Sequence, residues 1–423
     1  MIAVAVCGAC SGDDAAPRRQ PRSSDAGRPA ADATVREAEH DAGFEHDAGP
    51  ARQPRLARNI IVFMGDGMGP EQLATGRFVN GGRLQLDELL GPAYAVTDSL
   101  TTQRLPEAPP TDSAAAATVI ATGTLVENDV LSLGPNGERY ETVLEIAKRA
   151  GKATGLVTTS AFFDASPSAF AVHQPSRSLY PEIAREMLGV TQPDLVMGAG
   201  AWLVDEPAHG VFDAATQSGY DIVRGAAELA AWDPADDSRL LGLFETKFQP
   251  AVVAAEPFTM TPELVRTVDS PDPTLATMTA RALERLSRAP AGFFLFAEDE
   301  IFDQISHRGP AEVAWANRAL PAQVAGLDAA VRVAIDWVRA HSSFEDTLIV
   351  LLADHETGGY HFDPEAGPET GDFTVFSEDA SGLRVGLHTR RPIQVYALGP
   401  GSESLAHITQ HADTHRLLLG LLN

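Results

Sequence analysis

Four times in this chain a short, unbroken apolar run is closely followed by a carboxylate. The runs are Asn59–Met64 (NIIVFM), Ala153–Thr159 (ATGLVTT), Phe293–Ala297 (FFLFA) and Leu348–Ala353 (LIVLLA). Each is short for a helix and rich in β-branched, aromatic or leucine residues, which suits a strand buried on both faces. Ile393–Leu398 is a fifth candidate. Helical stretches lie between them, at Glu141–Ala150, Thr274–Ser287 and Val324–Arg339. Strands alternating with helices predict an α/β domain with a central, mostly parallel sheet covered by helices on both faces. Neither an internal repeat nor a linker follows residue 58, so residues 59–423 are expected to form a single large domain.

In open α/β sheets, sites form beyond the carboxyl ends of the strands. Asp66 follows the first run, Asp164 and Ser166 the second, Glu298 the third, and Asp354 with His355 the fourth. Carboxylates gathered in one place repel one another unless cations share the site. The only cysteines are Cys7 and Cys10, so any metal in the body must be held by histidine and carboxylate. Asp303 and His307 stand four apart, on one face if helical, and can chelate one ion. Ser113 precedes an alanine run that favours a helix; a serine there commonly caps, but its hydroxyl also sits where a phosphate is favoured. The planar fork of Arg177 suits bidentate phosphate contact. His388 alone says nothing. The net charge of −26 argues against a nucleic-acid surface, and an anionic substrate would need local positive charge from metals or a placed arginine.

Taken in order, the strings NIIVFMGDGMG, PPTDSAAAATVIATG, GLVTTSAFFDASPSAFAVH, FFLFAEDEIFDQISH, LLADHETGG and GLHTRRPIQVYALGPG resemble the alkaline phosphatase family, and they span about residues 59–401. The resemblance implies hydrolysis of small phosphate monoesters through a phosphoserine on Ser113, assisted by two zinc ions and one magnesium ion. One zinc would be held by Asp303, His307 and His388, the second by Asp66, Asp354 and His355, and magnesium by Asp66, Ser166 and Glu298. Arg177 would clamp the phosphate, steadied by Asp112, and Asp164 would order the waters of the magnesium. Two residues depart from the family pattern. Gln304 stands where relatives often carry Lys, His or Trp, and Ser166 replaces the commoner Thr. The family is often dimeric, so a homodimer is the expected assembly.

Other readings are a diesterase of the same superfamily, which usually carries a Thr nucleophile, and a sulfatase, which needs Pro two residues beyond the nucleophile where this chain has Ala115. A non-catalytic phosphate-binding surface protein would be expected to have lost ligands. At the N-terminus, residues 1–10 (MIAVAVCGAC) resemble the end of a bacterial lipoprotein signal, with Cys10 as the lipidated residue. Residues 11–58 are rich in Ala, Asp, Pro, Arg and Gly and read as a disordered tether. Export to the periplasm or cell surface, with a lipid anchor in the membrane, is the expectation from these two segments.

Overall fold

A computed structural model describes residues 56–104, 107–244, 272–307, 313–362, 374–376 and 387–422. The expected signal segment and nearly all of the expected tether lie outside these residues. Order begins slightly earlier than the sequence suggests: Ala57 is buried, and its N–H donates to the Leu421 carbonyl at 3.1 Å.

The strands are β1 (Asn59–Gly65), β2 (Leu90–Ala95), β3 (Ala153–Ala161), β4 (Leu195–Ala199), β5 (Tyr220–Arg224), β6 (Arg239–Phe244), β7 (Phe293–Asp299), β8 (Thr347–Leu352), β9 (Glu356–Thr357), β10 (Tyr360–Phe362), β11 (Thr374–Phe376), β12 (His388–Thr389) and β13 (Ile393–Leu398). Nine of them form one sheet in the order β2-β13-β8-β1-β7-β3-β4-β6-β5. Its pairings are parallel except those of β13, which runs antiparallel to β8 and β2. The fold is the expected α/β class. The five strands legible in the sequence are the contiguous block β13-β8-β1-β7-β3.

That block is buried because helices cover it. Every residue of β1, β7 and β8 is buried, and by apolar area each large side chain removed from water contributes about 1.5–3 kcal/mol. Helix Leu275–Leu286 starts at the cap Thr274, whose side chain accepts from the Thr277 N–H. Helix Val143–Arg149 starts at Thr142, which forms a capping box with Glu145. The long helix Val313–His341 begins eleven residues before the expected Val324; Pro321 inside it breaks the sequence signal, because proline disfavours a helix interior. No helix among the described residues is long and apolar enough to cross a membrane.

Candidate active site

β8, β1, β7 and β3 are neighbours in the sheet. Their carboxyl ends therefore bring Asp354 and His355, Asp66, Glu298, and Asp164 with Ser166 to one edge. β7 leads into helix Ile301–Ser306, which carries Asp303 and ends at His307. His388 comes from far along the chain, held opposite Thr357 where β12 pairs with β9. Gly67 makes the close approach possible. Its φ is +70°, and a Cβ there would lie 2.7 Å from Thr357 Oγ1 and 2.8 Å from Asp303 Oδ1.

Asp112, not Ser113, caps helix Ser113–Thr122: Asp112 Oδ1 accepts from the Ala115 N–H at 3.0 Å. Ser113 is the first helical residue, so its hydroxyl is released from capping. It lies 3.3 Å from His355 Nε2.

The sequence-predicted ligands converge. Asp66, Asp354 and His355 each place a ligand atom within 4.8 Å of the others, and so do Asp303, His355 and His388. His307 Nε2 is 3.0 Å from Asp303 Oδ2 and 3.1 Å from His388 Nε2. The second separation is close to the roughly 3.3 Å between two nitrogens on a tetrahedral zinc with bonds of about 2.0 Å. The His355 and His388 rings stack at 3.6 Å between centroids, so His355 stands between the two sets rather than wholly in one. Ser166 Oγ lies 3.5 Å from Asp66 Oδ2, beside Glu298.

Hydrogen bonds fix which ring nitrogens are free. His388 Nδ1–H donates to the Thr111 carbonyl at 2.9 Å, which turns Nε2 towards Asp303 and His307. Thr357 donates to Asp303 Oδ1 at 2.5 Å and therefore accepts from His355 Nδ1 at 3.2 Å. The His355 Nε2 lone pair then faces Ser113, with Asp354 Oδ2 at 3.1 Å and Asp66 Oδ1 at 3.7 Å. Metal-ligating imidazoles are oriented in this way, through a partner on the other nitrogen. A serine–histidine–acid relay needs the acid on the ring nitrogen opposite the serine. Here both acids share the serine's side.

Asp66 Oδ1, Glu298 Oε1 and Asp354 Oδ2 are buried and accept no hydrogen bond. Burial, then repulsion from Asp354 and Asp303, holds the Asp66 carboxyl well above its ordinary range. Burial pushes Glu298 up to about 8 despite hydrogen bonds from Thr158 and Ser166. Asp354 is raised by burial and by Asp303. Burial and the neighbouring His388 drive His355 well below the usual imidazole range. Asp303 goes the other way: burial opposes its charge, but hydrogen bonds from His307 and His388 overcome that and hold it low. Buried oxygens with unused lone pairs, beside imidazoles with free nitrogens and no thiolate, fit divalent cations such as zinc and magnesium.

Arg177 Nη2 donates to Asp164 Oδ1 at 3.0 Å, and its Nη1 reaches Asp112 Oδ2 at 3.5 Å. The expected partner Asp112 thus makes the longer contact and Asp164 the shorter. Asp164 also accepts from Ser160 Oγ and the Ala165 N–H, both at 2.7 Å. Gln304 donates to Glu300. Three positioning groups were not read from the sequence. Thr357 holds Asp303; Thr158 donates to Glu298 Oε2 at 2.6 Å; His411 Nε2–H donates to the Asp354 carbonyl at 2.6 Å. A hydroxyl directly after DHE was the one available signal.

Sheet and side chains together define an α/β protein with a centre of acids and imidazoles on the carboxyl edge of its strands, beside a helix-start serine. The chain belongs to the alkaline phosphatase family, whose model, described as Alkaline phosphatase, matches residues 57–370. It is 30% identical over 310 residues to Alkaline phosphatase 3 of Bacillus subtilis, an alignment covering 72% of this chain and 62% of that protein. The chain thus spans less than two thirds of the length of this Bacillus relative. It is 29% identical to the alkaline phosphatase of Escherichia coli K12 over 423 aligned residues, 86% of each chain. The solved alkaline phosphatase of the Antarctic bacterium TAB5 shares the fold: TM-score 0.67 at 21% identity, covering 88% of this chain and 99% of that one. A variant of that enzyme was solved with Mg bound in its M3 site.

Proposed function

We propose that this chain hydrolyses small phosphate monoesters through a covalent phosphoserine on Ser113. The observation that carries the reading is the set of unpartnered buried oxygens on Asp66, Glu298 and Asp354, gathered next to the serine at a helix start. Asp303, His307 and His388 would hold one zinc, Asp66, Asp354 and His355 a second, and Asp66, Ser166 and Glu298 a magnesium. When bound, these ions supply Lewis-acid stabilisation of the attacking and leaving oxygens and lower the pKa of the serine hydroxyl. The magnesium in the TAB5 variant supports the third site.

The remaining chemistry belongs to the chain. Ser113 Oγ attacks phosphorus, and the bond from phosphorus to the alcohol oxygen breaks. Water then attacks the phosphoserine and releases phosphate and the free serine. The first helical N–H groups after Asp112 face the incoming anion. Arg177, held by Asp164 and Asp112, presents its fork to the phosphate oxygens. Its charge is secure: burial works against it, but Asp164, Asp112 and Asp66 more than compensate.

The test is turnover of p-nitrophenyl phosphate with zinc and magnesium present, compared with bis-p-nitrophenyl phosphate and p-nitrophenyl sulfate. The reading expects the monoester to be preferred and acid quench to trap phosphate on Ser113. A diester preference would replace it with the diesterase reading. Export with a lipid on Cys10, a tether from residue 11 that ends before Ala57, and a homodimer complete the proposal. Loss of palmitate labelling in Cys10→Ala and the solution mass are the respective checks on anchor and dimer.

A further inference from the structure

Alongside Asp164 and Gln304 the surface opens into a cleft of about 220 Å³. This inference rests on the hydrolase reading above. One wall of the cleft is aromatic, formed by Phe163, Tyr180 and Trp202. The Phe163 ring is buried and forms the base. Tyr180 meets it at 5.5 Å between centroids and Trp202 edge-on at 5.7 Å. Tyr180 and Trp202 stand 39% and 45% exposed, presenting ring surface at the cleft. The wall is built into the backbone. Gly200 has φ +128°, and a Cβ there would lie 2.6 Å from Phe163 Cε1. That contact lets the short helix Ala201–Val204 set Trp202 on Phe163.

The polar part of the lining includes Asp164, Glu300 and Gln304. Asp164 also binds Arg177, the proposed phosphate clamp, so the cleft adjoins the place where the ester's phosphate would lie. Gln304 follows Asp303, and its amide donates to Glu300 rather than adding a positive charge. Aromatic faces beside carboxylates attract a flat group that carries positive charge: the rings through their electron-rich faces, the acids through hydrogen bonds. The space holds one substituted ring, being below the roughly 300 Å³ at which drug-sized pockets begin.

We propose that this cleft receives the alcohol portion of the phosphate monoester and selects a ring-bearing alcohol with an amino group over one with a carboxylate. Phe163, Tyr180 and Trp202 bind the ring, and Asp164 and Glu300 bind the ammonium.

Two measurements on the metal-loaded full-length protein test this. The first compares kcat/KM for tyramine O-phosphate and 4-(carboxymethyl)phenyl phosphate, two aryl esters differing mainly in side-chain charge. A preference of about tenfold for the amine is expected, the scale of one desolvated cation–π contact. Trp202→Ala should remove most of it while leaving glycerol 1-phosphate turnover unchanged, and Glu300→Gln should reduce it. The second is a tryptophan-fluorescence titration with tyramine and with 4-hydroxyphenylacetate, using Trp202→Phe to isolate one of the four tryptophans. Tighter binding of tyramine, with its signal lost in Trp202→Phe, supports the cleft. Equal rates for the two esters, unmoved by Trp202→Ala in an enzyme that turns over glycerol 1-phosphate, overturn it. Failure on every monoester instead overturns the hydrolase reading, and the titration then still decides whether the cleft takes the amine.

Discussion

A buried imidazole, His173, stands with two half-buried acids, Glu145 and Glu186, as a second group outside the site, and the two groups behave differently. His173 Nε2–H donates to the Tyr140 carbonyl at 3.0 Å and stands 3.5 Å from Glu145 Oε2, while its Nδ1 is 3.5 Å from Glu186 Oε1. Glu186 also accepts from the His173 backbone N–H and from Gln174 Nε2 and pairs with Arg139 at 3.3 Å, and Glu145 accepts from the Thr142 N–H. Two acids thus face two cations. Burial works against the imidazolium, but the facing Glu145 and Glu186 carboxylates push it up to about 9, and both glutamates are held low in return. At the candidate site the same residue types leave oxygens of Asp66, Glu298 and Asp354 unmatched, and all three carboxyls are raised. A group of acids and histidines that neutralises itself is structural support. One that does not neutralise itself requires cations from outside.

The largest expected effect follows directly. Exhaustive chelation should abolish phosphatase activity and lower the Tm, and zinc plus magnesium should restore both; at a hundredfold excess over Kd a single bound ion adds about 2.7 kcal/mol. Activity that survives chelation would erase the distinction between the two groups. Ser113→Ala should lower kcat/KM by about 10³-fold or more with little change in Tm, the scale seen when a covalent nucleophile is lost. His173→Gln should do the reverse: destabilise by about 1–2 kcal/mol, by removing the cation between two half-buried carboxylates, with kcat per folded molecule kept within about twofold. Equilibrium denaturation beside active-site titration separates these outcomes. Thr357→Val removes a hydrogen bond that orients Asp303 and should weaken zinc binding about 10- to 100-fold, measured by competition with a chelator.

Stability should also depend on pH. The His173 pKa is raised on folding, from 6.5 to about 9. Its contribution is therefore fully present below pH 6.5 and disappears as pH rises through about 9. The Glu298 carboxyl is also raised, from 4.5 to about 8. The metal-free protein should therefore lose stability as pH climbs from about 4.5 to about 8, because the folded form holds a proton that the unfolded form has released. Added metal should flatten the Glu298 window and leave the His173 window in place. If metal altered both windows equally, the contrast would fail.

Legibility in the sequence followed burial and locality. β1, β3, β7, β8 and β13 were readable because strands enclosed on both faces are nearly unbroken apolar runs. β2 (LGPAYA) contains Pro92 and is largely exposed, β5 alternates at the far edge, and Gly198 and Gly242 interrupt β4 and β6. The acids at the strand ends were visible as a pattern, but which of them share an ion was supplied by family resemblance. Thr158, Thr357 and His411 stayed hidden. Their importance comes from which atom each touches across the fold, and nothing local distinguishes them from other threonines and histidines.

The pairing of β9 with β12 sets His388 opposite Thr357, and the Gly358 N–H also bonds to the Leu387 carbonyl at 2.8 Å. The clasp closes immediately before the imidazole that completes the cluster. His388 is thus set by strand register: a one-residue slip of β12 against β9 would turn its imidazole to the other face and open the cluster.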